Sequence, residues 1–362
     1  MSSPNHIRGL DGLRGLAAYS VLVGHTLILG TDIGGLSVFL FFILSGYLIT
    51  GLLARGRVKI EAGQAEFGPE LANFWIGRAL RIFPAYYVWL GVMLILDHVY
   101  YQDQTISHLG WYILYAQNFL IAFKTQVWQD FTHTWSLAVE QQFYMFFAPL
   151  VLIVPARWHR RLFVAVITGS LALIAWLGYA GYGMITIYPL PSTGFVFMAV
   201  GGWIAITPRE RLSVFARPGL VLPCLVILIV LGCYPILERN EIVHVPYVLL
   251  DSVSASVLGV IMMAVLGAPE SWAVSLLETN VPRFLGKISY ALYIIHLPVS
   301  LWMWDFGGME TAAAVLHIPP RVICIVAVTA VSVPLAVLSY WLIEKPCLDL
   351  KRTWKVRSKS LA

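Results

Sequence analysis

The chain has 362 residues, 59% of them hydrophobic and 12% charged, about half the roughly 25% charge of an ordinary soluble domain. With a mean hydropathy of +0.77 it is neither a water-soluble globular enzyme nor a disordered chain, which needs low hydrophobicity and high net charge. The 24 basic and 19 acidic residues leave a formal charge of +5, and nothing outside a short tail, Lys351 to Lys359, offers the basic patch that nucleic acid requires.

At about 20 apolar residues per crossing, this length suits roughly ten spans. The first apolar run, Leu16 to Leu29, follows Arg8 and Arg14 as a secretory signal would, but no small-x-small cleavage pattern comes after it, so it reads as an uncleaved first helix. Apolar stretches fall at 12–30, 36–53, 79–98, 136–154, 162–180, 187–206, 219–236, 247–266, 284–304 and 321–343, with a weaker candidate at 107–122. Charge parity decides the last one. With the N-terminus inside, counting 107–122 as a span puts Arg157, Arg160, Arg161, Arg209, Arg211 and Arg217 outside; omitting it puts every basic cluster inside. The expectation is an all-α polytopic membrane protein of ten transmembrane helices with both termini cytoplasmic, and with 107–122 as an extra re-entrant or interfacial segment packed against protein.

The segment from Tyr100 to Trp135, rich in Trp, Tyr, Gln and His, fits an outer interfacial region. No internal repeat marks an inverted-repeat transporter. The reading is one membrane domain over 1–350 and a basic cytoplasmic tail over 351–362, with no soluble catalytic module. The four cysteines, Cys224, Cys233, Cys324 and Cys347, lack paired metal spacing and read as packing residues.

Ionisable groups within spans default to functional candidates. Arg14 and His25, eleven residues apart, fall within about 20° of one helical face and about 16 Å apart along it. His133, Trp135, Glu140 and Tyr144 cluster at the start of the fourth span, where Glu140 sits about 6 Å from the outer end, close to the depth of His25. A carboxylate beside an imidazole fixes its tautomer, as a general base requires. Arg78 and Arg81, three apart on one face at the inner boundary, suit capture of phosphates. His296 lies near the centre of the ninth span. Each residue also has a bland reading: the arginines as inside-positive anchors, the histidines as satisfied core groups, and Glu140 as a structural pair.

Six stretches in order resemble the acyltransferase-3 family of integral membrane O-acyltransferases, which modify cell-surface sugars. They are Leu10-Asp-Gly-Leu-Arg14 with His25; Phe41-Phe-Ile-Leu-Ser45-Gly-Tyr-Leu-Ile-Thr50; Phe74-Trp-Ile-Gly-Arg78-Ala-Leu-Arg81-Ile-Phe-Pro84; His133 to Tyr144; Leu285-Gly-Lys-Ile-Ser289-Tyr to His296; and Tyr340-Trp-Leu-Ile-Glu344-Lys-Pro346. The resemblance implies that Arg14 and His25 are essential, that Arg78 and Arg81 serve acyl-CoA, and that Glu140 matters to catalysis. Two positions depart from the family pattern: Gln141 replaces a second acid, and Pro191-Ser-Thr-Gly-Phe-Val-Phe lacks an arginine.

The expected activity is therefore transfer of an acyl group, acetyl in the first instance, from acyl-CoA to a carbohydrate hydroxyl. His25 and Glu140 would be catalytic, and Arg14, Ser45, Arg78, Arg81, His133, Trp135, Tyr144 and His296 would bind substrates. No metal or bound cofactor is called for, and acetyl-CoA is the donor substrate. The partners expected are acyl-CoA, a carbohydrate or glycolipid acceptor and membrane lipids, with homo-oligomerisation open, in a bacterial inner membrane. Two other readings are a proton-coupled transporter or flippase of a glycan or lipid-linked precursor, and a subunit that hands its acyl group to a separate transferase.

Overall fold

A computed structural model describes residues 6–100, 105–128, 131–240 and 245–350. The basic tail expected at 351–362 lies outside them. Among the described residues all regular structure is helical, the solution open to a chain whose backbone polar groups must be satisfied within each apolar segment. The main helices are α1 (Leu10–Thr26), α2 (Ile33–Glu61), α3 (Phe67–Tyr100), α4 (Trp135–Ile153), α5 (His159–Tyr179), α6 (Pro191–Ala205), α7 (Pro218–Arg239), α8 (Tyr247–Gly267), α9 (Asn280–Phe306) and α10 (Pro320–Ser339). Each expected apolar stretch falls largely on one of them. Among the described residues eight helical runs are long and apolar enough to cross a membrane, whereas α1 has 17 residues and α6 has 15. The protein is an all-α, multi-pass membrane protein.

Two expectations about element bounds change. Helix α3 starts at Phe67, twelve residues ahead of its apolar run, because nothing between Phe67 and Arg78 breaks a helix except Pro69 in its first turn, where proline is tolerated. The 107–122 stretch is not one helix but short turns, Ile106–His108, Leu109–Ile113 and Gln117–Leu120, followed by a π turn at Ile121–Thr125.

The described residues form two compact units, Met1–Leu44 with Thr207–Ala336 and Ser45–Ile206 with Val337–Ala362. The first unit is built on α1 and α9. Glycines let the two backbones touch: a Cβ on Gly15 would lie 2.1 Å from the Pro282 carbonyl oxygen and one on Gly286 1.9 Å from that of Asp11, while one on Gly12 would lie 2.0 Å from that of Leu277, just ahead of α9. Arg14 meets Ser289 and, eleven residues on, His25 meets His296 seven residues further along α9, so α1 and α9 run in the same direction. The start of α1 is fixed by Gly9, in the left-handed region at φ 85°, whose N–H donates to Glu278 Oε1 at 2.6 Å. Beyond α1, the Asp32 N–H donates to the Gly232 carbonyl of α7 at 2.8 Å.

In the second unit α6 packs on α2 and α5 by the same means. A Cβ on Gly46 would meet the Met198 carbonyl oxygen at 1.9 Å, and one on Gly202 would meet Phe163 at 2.4 Å. The broken segment is satisfied by buried side chains. Tyr86 of α3 donates to the Tyr112 carbonyl at 2.9 Å, and the Gln117 amide donates to the Thr134 carbonyl at 2.9 Å. Asn118 and Gln142 exchange amide hydrogen bonds at 3.2 and 2.9 Å, while Gln142 also donates to the Tyr115 carbonyl. These bonds hold non-helical backbone inside protein.

Candidate active site

Each unit holds one cluster of the expected site residues. In the first, α1 and α9 are joined by two polar rungs. The Arg14 guanidinium donates to Ser289 Oγ at 3.4 Å, and His25 Nδ1 meets His296 Nε2 at 3.0 Å, the rings lying 5.2 Å apart and 17° from parallel. His296 is fully buried. Its Nδ1 faces the Tyr293 carbonyl at 2.7 Å and that of Leu292 at 3.3 Å. A carbonyl only accepts, so Nδ1 of His296 carries the proton and the neutral ring presents a bare Nε2. His25 must then donate from Nδ1, which leaves His25 Nε2 as a free acceptor. In front of that atom stands Gly34 of α2: a Cβ there would lie 3.8 Å from Nε2. The nearby Gly24 brings α1 against the Gly34 backbone, its own Cβ position being 2.8 Å from the Gly34 nitrogen.

In the second unit Glu140 accepts from Ser45 of α2 and from Tyr144 one turn further along α4. The Arg78 guanidinium interacts with the Tyr144 hydroxyl and with the charges of Glu140 and Arg81, and its Nε is buried without a hydrogen-bond partner. Arg78 and Glu140, expected from sequence near opposite ends of their spans, are thus linked through Tyr144. Because α3 starts early, Arg78 lies eleven residues, about 16 Å, inside its helix. Arg81 faces Tyr340 in the π turn Tyr340–Glu344. Glu140 and Gln142, about 200° apart on α4, serve different networks, the first this charged cluster and the second the broken segment.

His133 is buried in the turn Thr132–Thr134 with its ring edge-on to Phe131 at 5.4 Å, and Trp135 is buried against Tyr188 at 4.9 Å. Sequence reasoning missed Ser289 and Gly34 as members of the site. Ser289 stood in a matching motif seven residues before His296, two turns along one helix face, and that spacing was the available signal. For Gly34 there was none.

A profile of this family, described as an acyltransferase domain, matches residues 7–341. The chain belongs to this acyltransferase family. Among curated proteins it is similar to a peptidoglycan O-acetyltransferase of Listeria monocytogenes, 26% identical over 82% of this chain and 50% of the relative. A Bacillus subtilis protein provisionally assigned the same activity is 29% identical over 94% of this chain and 55% of its own length. A provisionally assigned O-acetyltransferase of Staphylococcus aureus is 26% identical over 81% and 50%. The chain thus spans about half the length of the curated relatives it matches. No solved structure matches it significantly.

Proposed function

We propose that this protein is an O-acetyltransferase of a bacterial cytoplasmic membrane that moves acetyl from acetyl-CoA to a hydroxyl of a cell-wall carbohydrate, with His25 as general base. The family match and the names of the relatives support the chemistry. The observation that carries the mechanism is the His25–His296 bond, which leaves Nε2 of His25 as the acceptor of a proton. The acceptor hydroxyl gives its proton to that nitrogen while its oxygen attacks the thioester carbonyl; the C–S bond then breaks, and the leaving thiolate takes a proton. Such assistance is typically worth about 10² to 10⁴ in rate.

Arg78 and Arg81 bind the donor's phosphates, and the unpartnered Nε of Arg78 supports a bond made only when an anion arrives. Glu140, hydrogen-bonded by Ser45 and Tyr144, acts by setting the Arg78 guanidinium. The parallel run of α1 and α9 supports the ten-span topology: seven helices intervene, an odd number, and a crossing at 107–122 would make α9 antiparallel to α1. The test is reconstitution in liposomes with labelled acetyl-CoA and peptidoglycan fragments, read as acetyl ester by mass spectrometry. Ester formation lost in His25→Gln supports the reading; an intact thioester with active membrane protein overturns it in favour of transport.

A further inference from the structure

Three rings from three separate segments meet beside the start of α4. Trp128 lies 6.4 Å from Trp135 and 6.0 Å, edge-on at 85°, from Tyr188, while Trp135 and Tyr188 are 4.9 Å apart. Their exposure is graded: Trp135 is 4% exposed, Tyr188 partly, and Trp128 50%. An indole supported from below and open above is a platform.

The segment that presents it is held in place. Gln126 takes the left-handed conformation at φ 52°, uncommon for a residue with a side chain, and its amide donates to Thr186 Oγ1 at 3.0 Å and to the Ala122 carbonyl. Four residues beyond Tyr188, the Ser192 hydroxyl is buried with no hydrogen-bond partner. Aromatic residues that anchor a protein in lipid sit on the outward faces of spanning helices at the interface. Here the rings meet one another edge-on or tilted, and Gln126, Thr186 and Ser192 stand next to them in the chain. Apolar faces beside fixed polar groups match a pyranose, whose C–H faces stack on aromatic rings and whose rim is all hydroxyl.

We infer that Trp128, backed by Tyr188 and Trp135, is a stacking subsite for the glycan acceptor. The subsite rests on the carbohydrate acceptor proposed above, and its backing residue Trp135 lies five residues, about 7.5 Å of helix rise, from Glu140. The experiment is calorimetric binding of a β-1,4-linked N-acetylglucosamine tetramer to purified protein in detergent, with no acetyl-CoA present. Trp128→Ala should weaken binding by about tenfold and Trp128→Phe by less than about threefold, with both variants matching the wild type in helical content and elution volume. Equal affinity of Trp128→Ala and wild type, as a lipid anchor would give, overturns the subsite, and so does a wild type that does not bind the tetramer. Because binding is read without the donor, loss of affinity in Trp128→Ala without any acetyl transfer would keep the subsite and refute the transferase reading alone.

Discussion

His25 is held at one ring nitrogen and open at the other, so its neighbours divide into those that fix the ring and those that leave it room. His296 fixes it. His25→Gln should abolish measurable acetyl transfer with normal membrane insertion. His296→Ala should lower kcat by a smaller factor, about 10-fold to 100-fold, and the double variant should be no worse than His25→Gln, since groups acting as a unit are strongly non-additive. Full additivity of the two losses would break the pairing. Gly34 leaves the room: the Cβ of Gly34→Ala would sit at ordinary contact distance from Nε2 and should be mild, whereas Gly34→Leu should block acyl transfer without lowering the melting temperature by more than a few degrees. Arg78→Ala should raise the KM for acetyl-CoA, and Arg78→Lys should recover only part of it, lacking the bidentate fork. His25 was legible in the sequence because an ionisable group is rare in an apolar run, and Arg78 because it shares a helical face with Arg81. The partner of His25 was not, since periodicity gives the face of a helix and its depth but not the helix that faces it.

Helices α1 and α9 meet through backbone as well as through side chains, which makes their contact intolerant of added carbon at its glycines. Gly286→Ala would place a methyl group 1.9 Å from a backbone oxygen that no rotamer change can move. Overpacking of this kind costs about 1 to 3 kcal/mol, so a lower melting temperature with loss of activity is expected, against little effect from Gly91→Ala, where a Cβ meets nothing within 4 Å. The entrance to α1 carries a pH term as well. Burial works against the Glu278 charge, but the Gly9 N–H, His6 and Arg283 outweigh it and hold the carboxyl below its ordinary value of 4.5. A depressed carboxylate stabilises the fold fully above that ordinary value, and the stabilisation disappears as pH falls below it. The melting-temperature gap between wild type and Glu278→Gln should therefore be widest near pH 7 and close on acidification below 4.5; a gap that is constant with pH would remove the charge from the argument. Hydropathy located these helices, and charge parity kept 107–122 from being counted among them. Their close approach at Gly15 and Gly286 could not be read from sequence, because glycine in an apolar run looks the same whether or not a backbone lies against it.

For the whole molecule, orientation and connectivity carry the remaining expectations. If ten helices cross with the N-terminus inside, a single cysteine placed in the 157–161 loop should resist impermeant maleimide in intact cells and react after lysis, while one at 181–186 should react at once; external labelling of the first would overturn the topology. The class of fold was plain from composition alone, but the division into two units was not, since each is assembled from separate stretches of chain and two of the three boundaries fall inside α2 and α10. That arrangement also sets when the protein can first act. His25 and His296 are 271 positions apart, and a ribosome adding about 5 to 20 residues per second takes roughly 15 to 55 s to go from one to the other. Throughout that interval the nascent chain carries Arg14 and His25 without the Ser289 and His296 that they meet in the folded protein, so it depends on whatever shelters polar groups during insertion. If His25 is the base, a chain terminated anywhere before α9 should insert and show no acetyl transfer.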